Sequence, residues 1–344
     1  MRRQLCSSFA GLMVILVVVV PVSAPAATVN DRVLWATGYV ARAQNPDGTF
    51  PSSFGGPVAA TADAVASLVA SRRGAGQVEK ALDYLEANVA LVDNPGKRAK
   101  VVMAAVAGGR NPQDFGGVDL IAALEATEEQ DGRFLSSPFS QVYDQSLIIL
   151  ALEGAGRDVS RAAVMWLARA QCRDGGWQFD QGSQPGDDRK CKSTTDPASD
   201  FNESDTNTTS LAVQALASSA RSVPLDADPF RFFRVLRDRI KGGWGFNRTF
   251  SLTDTVSTSL VLQAYAAAHE SLPSGARGVL IGLQRSCSNA DGVFPTGWEK
   301  KPGTKEYRKV GRDLGATVAA IPALLRKPFP IKPVAYLRNG PAAC

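Results

Sequence analysis

The sequence predicts an all-α protein of twelve helices organised as six hairpins. Three observations carry this. Apolar residues recur at i, i+3, i+4 and i+7 in twelve successive segments, with no run of strand-like alternation. The segments alternate in character, one with a charged face and the next rich in small residues. A glycine–aromatic punctuation then recurs at one fixed place in the pairs.

Taken in order, the pairs span 29–43 and 61–72, 77–91 and 97–108, 113–129 and 142–155, 159–171 and 204–220, 226–240 and 253–269, and 273–285 and 311–326. The first member of a pair, such as 226–240, has one charged face and suits an outer layer. The second members, such as Thr61 to Ser71 or Thr253 to Ala268, are Ala-, Ser-, Thr- and Val-rich and suit a crowded inner layer. Six such pairs close into a barrel or stack as a linear solenoid.

The punctuation ends the first helices. It reads Gln44-Asn45-Pro46-Asp47-Gly48-Thr49-Phe50, then Asp131-Gly132-Arg133-Phe134, then Gln171-Cys172-Arg173-Asp174-Gly175-Gly176-Trp177. Gly242-Gly243-Trp244 and Asp291-Gly292-Val293-Phe294 complete the set. Glycine stops a helix because it reaches positive φ without a Cβ clash, and the aromatic ring then folds back onto the repeat. Asp63, Asp144, Asp205, Asp254 and Asp313 stand at or near the expected starts of inner helices, where a carboxylate caps free N–H groups. The 97–108 helix has no such Asp.

Composition fits a folded chain: 344 residues, 44% hydrophobic and 21% charged, which excludes disorder, collagen and coiled coil. A single histidine, His269, excludes multi-histidine metal sites. The +5 charge is dispersed rather than striped, which argues against nucleic-acid binding. Residues 1–26 read as a signal peptide: Arg2 and Arg3, an apolar run from Gly11 to Val20, and Ala24-Pro25-Ala26 for cleavage. No later stretch is long and apolar enough to cross a membrane. The expectation is a secreted or extracytoplasmic chain with a toroid over 27–326 and a Pro-rich tail over 327–344. Without the leader, Cys172, Cys191, Cys287 and Cys344 remain. The favoured pairings are Cys172–Cys191 across a polar loop and Cys287–Cys344 at the tail, among three combinations.

One stretch is more specific than the rest. Arg161-Ala162, Trp166-Leu167, Gln171 and Gly175-Gly176-Trp177 resemble, at every defining position, the QW repeat of squalene-type cyclases. Over about 29–326 the chain is similar to that group and to protein prenyltransferase β subunits. The other copies are degraded: Phe50, Phe134 and Phe294 replace Trp, while Glu128 and Asp238 stand where Gln is expected. The resemblance implies an α/α toroid (α6/α6 barrel) around a central apolar cavity. It also implies that Gln171, Gly175, Trp177, Gln44, Phe50, Trp244 and Phe294 form structural clasps between repeats.

The chemistry of that group is less visible. Its cyclases use a D-x-D-D acid at an inner-helix start, where neighbouring carboxylates keep one protonated. The nearest match is Glu203-Ser204-Asp205-Thr206. The prenyltransferase zinc site needs Asp, Cys and His together, and His269 has no inner-helix Cys beside it. The Gly-Cys-Gly-Glu-Gln motif of thioester toroids is missing. No metal or cofactor is expected.

Two segments depart from a bare toroid. The acid-rich stretch 178–203 reads as a solvated loop held by Cys172–Cys191, and 295–312, with Trp298, Tyr307 and five basic residues, reads as a second loop. The sequence therefore points to a secreted, non-catalytic toroid that holds an apolar or isoprenoid-like small molecule. Two alternatives stand beside it. One is a divergent cyclase or mutase using Asp205, helped by Glu203 or Asp254; the other is a cell-surface interaction domain.

Overall fold

Polar residues at helix starts set most of the elements. The computed structural model describes residues 27–52, 55–136, 141–180, 191, 203–287 and 292–337. Thr28 opens α1 (Val29–Arg42) with a capping box in which Thr28 and Asp31 bond each other's backbone N–H. Asp119, Ser160 and Asp228 cap α5 (Leu120–Glu125), α7 (Arg161–Arg169) and α9 (Pro229–Leu236). Asn94, Asp205, Asp254 and Asp313 cap α4 (Pro95–Gly108), α8 (Thr206–Ser218), α10 (Thr255–Ala267) and α12 (Leu314–Leu324). Glycines in the left-handed conformation precede α2 (Gly56–Ser71), α3 (Ala75–Ala87) and α11 (Ala276–Leu283). The remaining helix is α6 (Gln141–Gly154).

The even-numbered helices form a closed ring. α2, α4, α6, α8, α10 and α12 pack in succession, and α12 returns to α2. The odd-numbered helices lie outside: α1 packs on α12 and α2, α3 on α2 and α4, α5 on α4, α7 on α6 and α8, α9 on α8, and α11 on α10 and α12. This is a two-layer toroid and not a linear stack. Small residues let the inner helices approach; on α10, Thr255, Ser257, Thr258, Ser259 and Ala264 are all buried.

A repeated hydrogen bond fixes the register of inner helix to outer helix. The backbone N–H of each punctuating aromatic donates to a side chain on the following inner helix. Phe50 donates to Thr61 Oγ1 (3.0 Å), Phe134 to Gln145 Oε1 (2.9 Å) and Trp177 to Thr209 Oγ1 (2.9 Å). Trp244 donates to Thr258 Oγ1 (3.1 Å) and Phe294 to Thr317 Oγ1 (3.0 Å). All five aromatic side chains are buried. The indole N–H groups also find acceptors, Trp177 at Leu167 O and Trp244 at Phe233 O.

The glutamines bridge adjacent outer helices. Gln44 Nε2 donates to Gly48 O and to Gln77 O on α3. Gln171 Nε2 donates to Gly175 O and Ala227 O, and its Oε1 accepts from Ala227 N. Gln284 Nε2 donates to Gly292 O and Arg32 O. Gly175 sits at φ +92°, and a Cβ there would lie 2.7 Å from Asp228 O, so only glycine fits this seam.

Several expectations are corrected. The third outer helix is short, Leu120–Glu125 rather than 113–129, because Gly116 and Gly117 turn the chain at φ 60° and 77°. Asp63 is not at a helix start: α2 begins at Gly56 with Pro57 in its first turn, which places Asp63 mid-helix. Asn94 supplies the cap that α4 lacks in Asp. Asp238 does not take the glutamine's place. It accepts from Thr253 N, Thr253 Oγ1 and Ile240 N, while Arg237 donates to Gly242 O (2.7 Å) and Ser274 O (2.8 Å) and so bridges that seam. Within 295–312, β1 (Gly297–Lys300) and β2 (Tyr307–Val310) form an antiparallel hairpin with Trp298 opposite Lys309. The alternation covers four residues per strand, too few to read as strands.

Residues 327–337, set apart in the sequence as a tail, lie across the C-terminal ends of inner helices. Lys327 Nζ donates to Ala70 O of α2, Phe329 N to Gln214 Oε1 of α8, and Lys332 Nζ to Gly154 O of α6. Leu337 N reaches Arg72 O, and Arg72 Nε reaches Ala335 O. Cys172 and Cys191 are joined, with Cα atoms 5.7 Å apart across a separation of 19 residues. Cys287 is also disulfide-bonded. Cys344, the leader 1–26 and most of 178–203 lie outside the described residues.

Candidate functional site

The inner ring encloses a cavity of about 530 Å³. This is within the usual range of small-molecule sites, roughly 300–1,000 Å³. Its wall takes one side chain from an equivalent position on each inner helix. Counting two residues on from the side chain that accepts the aromatic N–H gives Asp63, Leu147, Leu211, Leu260 and Ala319. On α4 the same position, six residues after the cap as in α8, is Lys100. All six line the cavity. Met103, Val256 and Val318 extend the apolar surface, and Phe329 from the tail closes the end formed by inner-helix C-termini. Pro51, Ser52, Arg312 and Asp313 lie at the opposite end.

One sector of the wall is polar. Lys100 Nζ donates to Asp63 Oδ2 at 2.7 Å; the side chains are 19% and 41% exposed. Burial alone would lower the Lys100 pKa, but the Asp63 charge and hydrogen bond outweigh it and hold the ammonium above its ordinary value. Tyr143 stands beside the pair, its ring 5.1 Å from that of Phe179. Burial pushes the Tyr143 hydroxyl up, against the pull of Lys100. Asp144 accepts from Ser136 Oγ. Lower in the cavity, Ser67 and Gln263 are buried lining residues.

The acids that the sequence singles out stand elsewhere. Asp205 is buried, caps α8 by accepting from Thr208 N at 2.7 Å, and is not among the lining residues. Its Oδ2 is buried with no partner among the described residues. Burial raises its pKa from 3.8 to about 7. Asp254 caps α10 through Ser257 N and is raised by burial to about 6. Glu203 is drawn to the surface, where it accepts from Thr249 N and Oγ1. His269 is exposed beyond the end of α10. The structure thus does not gather Asp205, Glu203 and Asp254 around the cavity. Sequence reading missed Lys100, whose signal is a lysine at a position that four other repeats fill with Leu or Ala.

On the outside, Lys241 Nζ lies 4.3 Å from the Trp298 ring centroid and 4.6 Å from that of Tyr307. These contacts tie the 295–312 hairpin to the fifth repeat. No described helix is long and apolar enough to cross a membrane.

No protein-family profile and no characterised protein matches the sequence. Solved structures do match the fold. A variant of the type II terpene cyclase MstE from Scytonema, in complex with geranylgeranyl dihydroxybenzoate, superposes with a TM-score of 0.59 over 87% of this chain and 97% of its own, at 12% identity. The chain is an α/α toroid. A protein from Actinoplanes is similar at a TM-score of 0.58 and 17% identity, covering 87% of this chain and 99% of its own. The α-1,6-mannanase of Salegentibacter sp. HEL1_6 is similar at 0.53 and 12%, covering 87% and 98%. At these identities the likeness is one of fold, which a cyclase and a glycan hydrolase share.

Proposed function

We propose that this toroid is an exported binding protein that holds an apolar small molecule in its central cavity without chemical change. The carrying observation is the wall. Leucine or alanine from four of six repeats faces the cavity, and both lining carboxylates are engaged, Asp63 by Lys100 and Asp313 as the cap of α12. An acid that protonates an alkene must have a proton to give, and a carboxylate already gripping an ammonium does not offer one. The terpene cyclase likeness supports an apolar occupant, and the leader and paired cysteines support export.

The test is titration of the mature chain with a C20 polyprene, read by native mass spectrometry. One equivalent binds, and Leu211→Trp, which fills the cavity, removes binding. Unaltered binding by that variant, or a cyclised product in the recovered ligand, overturns the reading.

The cyclase reading is favoured by one observation, the half-unpartnered Asp205 carboxyl raised to about 7. Such a group keeps its proton near neutral pH, as a general acid must. Asp205→Asn with unchanged turnover of a polyprene substrate ends it.

A further inference from the structure

We infer that the cavity selects a neutral alcohol, its hydroxyl held between Asp63 and Lys100; this rests on the binding role proposed above. The argument starts from the repeat. Six equivalent positions face the cavity, and Leu147, Leu211, Leu260 and Ala319 show that the fold is satisfied by aliphatic side chains there. Only the adjacent helices α2 and α4 carry charge, as one ion pair at 2.7 Å. With side chains 19% and 41% exposed, the pair keeps part of its water, and such a pair adds at most about 1 kcal/mol to stability. The toroid therefore does not need this pair for its stability, and its chemistry is directed at what fills the cavity.

That chemistry is specific about charge. Asp63 Oδ1 has no partner among the described residues, and Lys100 has N–H groups beyond the one given to Asp63. The pair offers an acceptor and a donor side by side with no net charge. An ionised carboxylate or phosphate would meet Asp63 next to its cation, and an ammonium would meet Lys100. A hydroxyl donates to Asp63 and accepts from Lys100 with neither conflict. The other charged lining residues, Arg312 and Asp313, also cancel in sign.

A second, independent observation points the same way. Ser67 Oγ and Gln263 Oε1 line the same cavity, are 1% and 0% exposed as residues, and have no partner among the described residues. Ser67 lies one helical turn beyond Asp63 on α2. A buried polar atom without a partner is destabilising, and a neutral oxygen of an occupant removes that penalty. The wall is thus an apolar ring into which polar groups of no net charge are set, Asp63, Lys100 and Ser67 on α2 and α4 and Gln263 on α10, which matches an apolar alcohol or diol.

The experiment compares three C20 probes on the full mature chain: geranylgeraniol, geranylgeranoic acid and the hydrocarbon phytane. The alcohol is expected to bind about tenfold tighter or more than either of the others, as a site built for a hydroxyl rejects its analogues. In the double variant Asp63→Leu/Lys100→Leu, which repeats the wall of the other repeats, that preference falls to roughly twofold or less while phytane still binds. Circular dichroism and thermal unfolding check that the variant folds. Equal binding of alcohol and hydrocarbon, tighter binding of the acid, or a preference that survives the double variant overturns the inference and leaves the apolar cavity standing. Binding of none of the three overturns both.

Discussion

Gln284 Nε2 donates to Arg32 O at 2.8 Å, joining residues 252 apart in sequence. This bond bridges the last outer helix to the first. It is the same bridge that Gln44 makes to Gln77 and Gln171 makes to Ala227, here used to close the ring. Gln284→Ala removes the side-chain donor of Gly292 O and the second donor of Arg32 O, which keeps its place in the α1 ladder. The expected loss is about 1–3 kcal/mol in urea unfolding, since an orphaned polar group carries its full desolvation cost. A loss close to zero would mean that water replaces the side chain.

Arg237 performs the glutamine's task at the fifth seam, with Nε on Gly242 O and Nη2 on Ser274 O. Its guanidinium also lies 5.7 Å from the Trp244 ring centroid. Arg237→Ala is expected to cost about 1–3 kcal/mol. Arg237→Gln, which restores the side chain of the other seams, is expected to recover at least about half of that. Denaturant midpoints of the two variants decide; equal losses would show that stacking on Trp244 dominates.

Two glycines at positive φ separate backbone preference from packing. Gly132 is at φ +89°, and an added Cβ would lie 2.1 Å from Ala162 C; Gly156 is at φ +74° with open space around it. Gly156→Ala meets only the left-handed penalty, about 1–2 kcal/mol. Gly132→Ala must also push α7 away, so it is expected to exceed that loss by about 2 kcal/mol or more. Parallel thermal melts check the order, and similar values would show that α7 yields freely.

The raised pKa of Asp205 fixes the sign of a pH effect. Burial lifts it from 3.8 to about 7, so the folded state binds a proton that the unfolded state releases. Its contribution to stability is complete below pH 3.8 and declines as pH rises toward about 7. Asp205→Asn keeps an oxygen for Thr208 N without the charge. It is expected to raise stability at pH 8 by on the order of 1–3 kcal/mol and to make the profile between about pH 4 and 7 shallower, leaving the slope that Asp254 contributes. Urea unfolding at several pH values checks this; an unchanged profile would mean that Asp205 is hydrated in the folded state.

The ring was legible in the sequence because its rules are local and repeated. A capping Asp, a Gly–aromatic stop and a 3.6-residue period each declare themselves within a few residues, so Asp205, Trp177 and α8 could be placed in advance. The polar sector of the cavity wall was not legible. Asp63 and Lys100 lie 37 residues apart, and they meet only because α2 and α4 are neighbours in a closed ring. In isolation Asp63 reads as one more cap and Lys100 as a surface charge. The shift from Asp238 to Arg237 was hidden for a similar reason. Either side chain suits a helix end, and the carbonyl that chooses between them belongs to the next repeat.

The segment 327–337 binds α2, α6 and α8, which are not all neighbours around the ring. A row of stacked repeats can fray from either end, since each unit leans only on the next. Here the closed ring presents no end, and the chain's final described stretch works like a hoop across its staves. Loosening one hairpin strains the hoop and so weakens hairpins it does not touch. The toroid is therefore expected to melt as one cooperative unit despite its repetitive build.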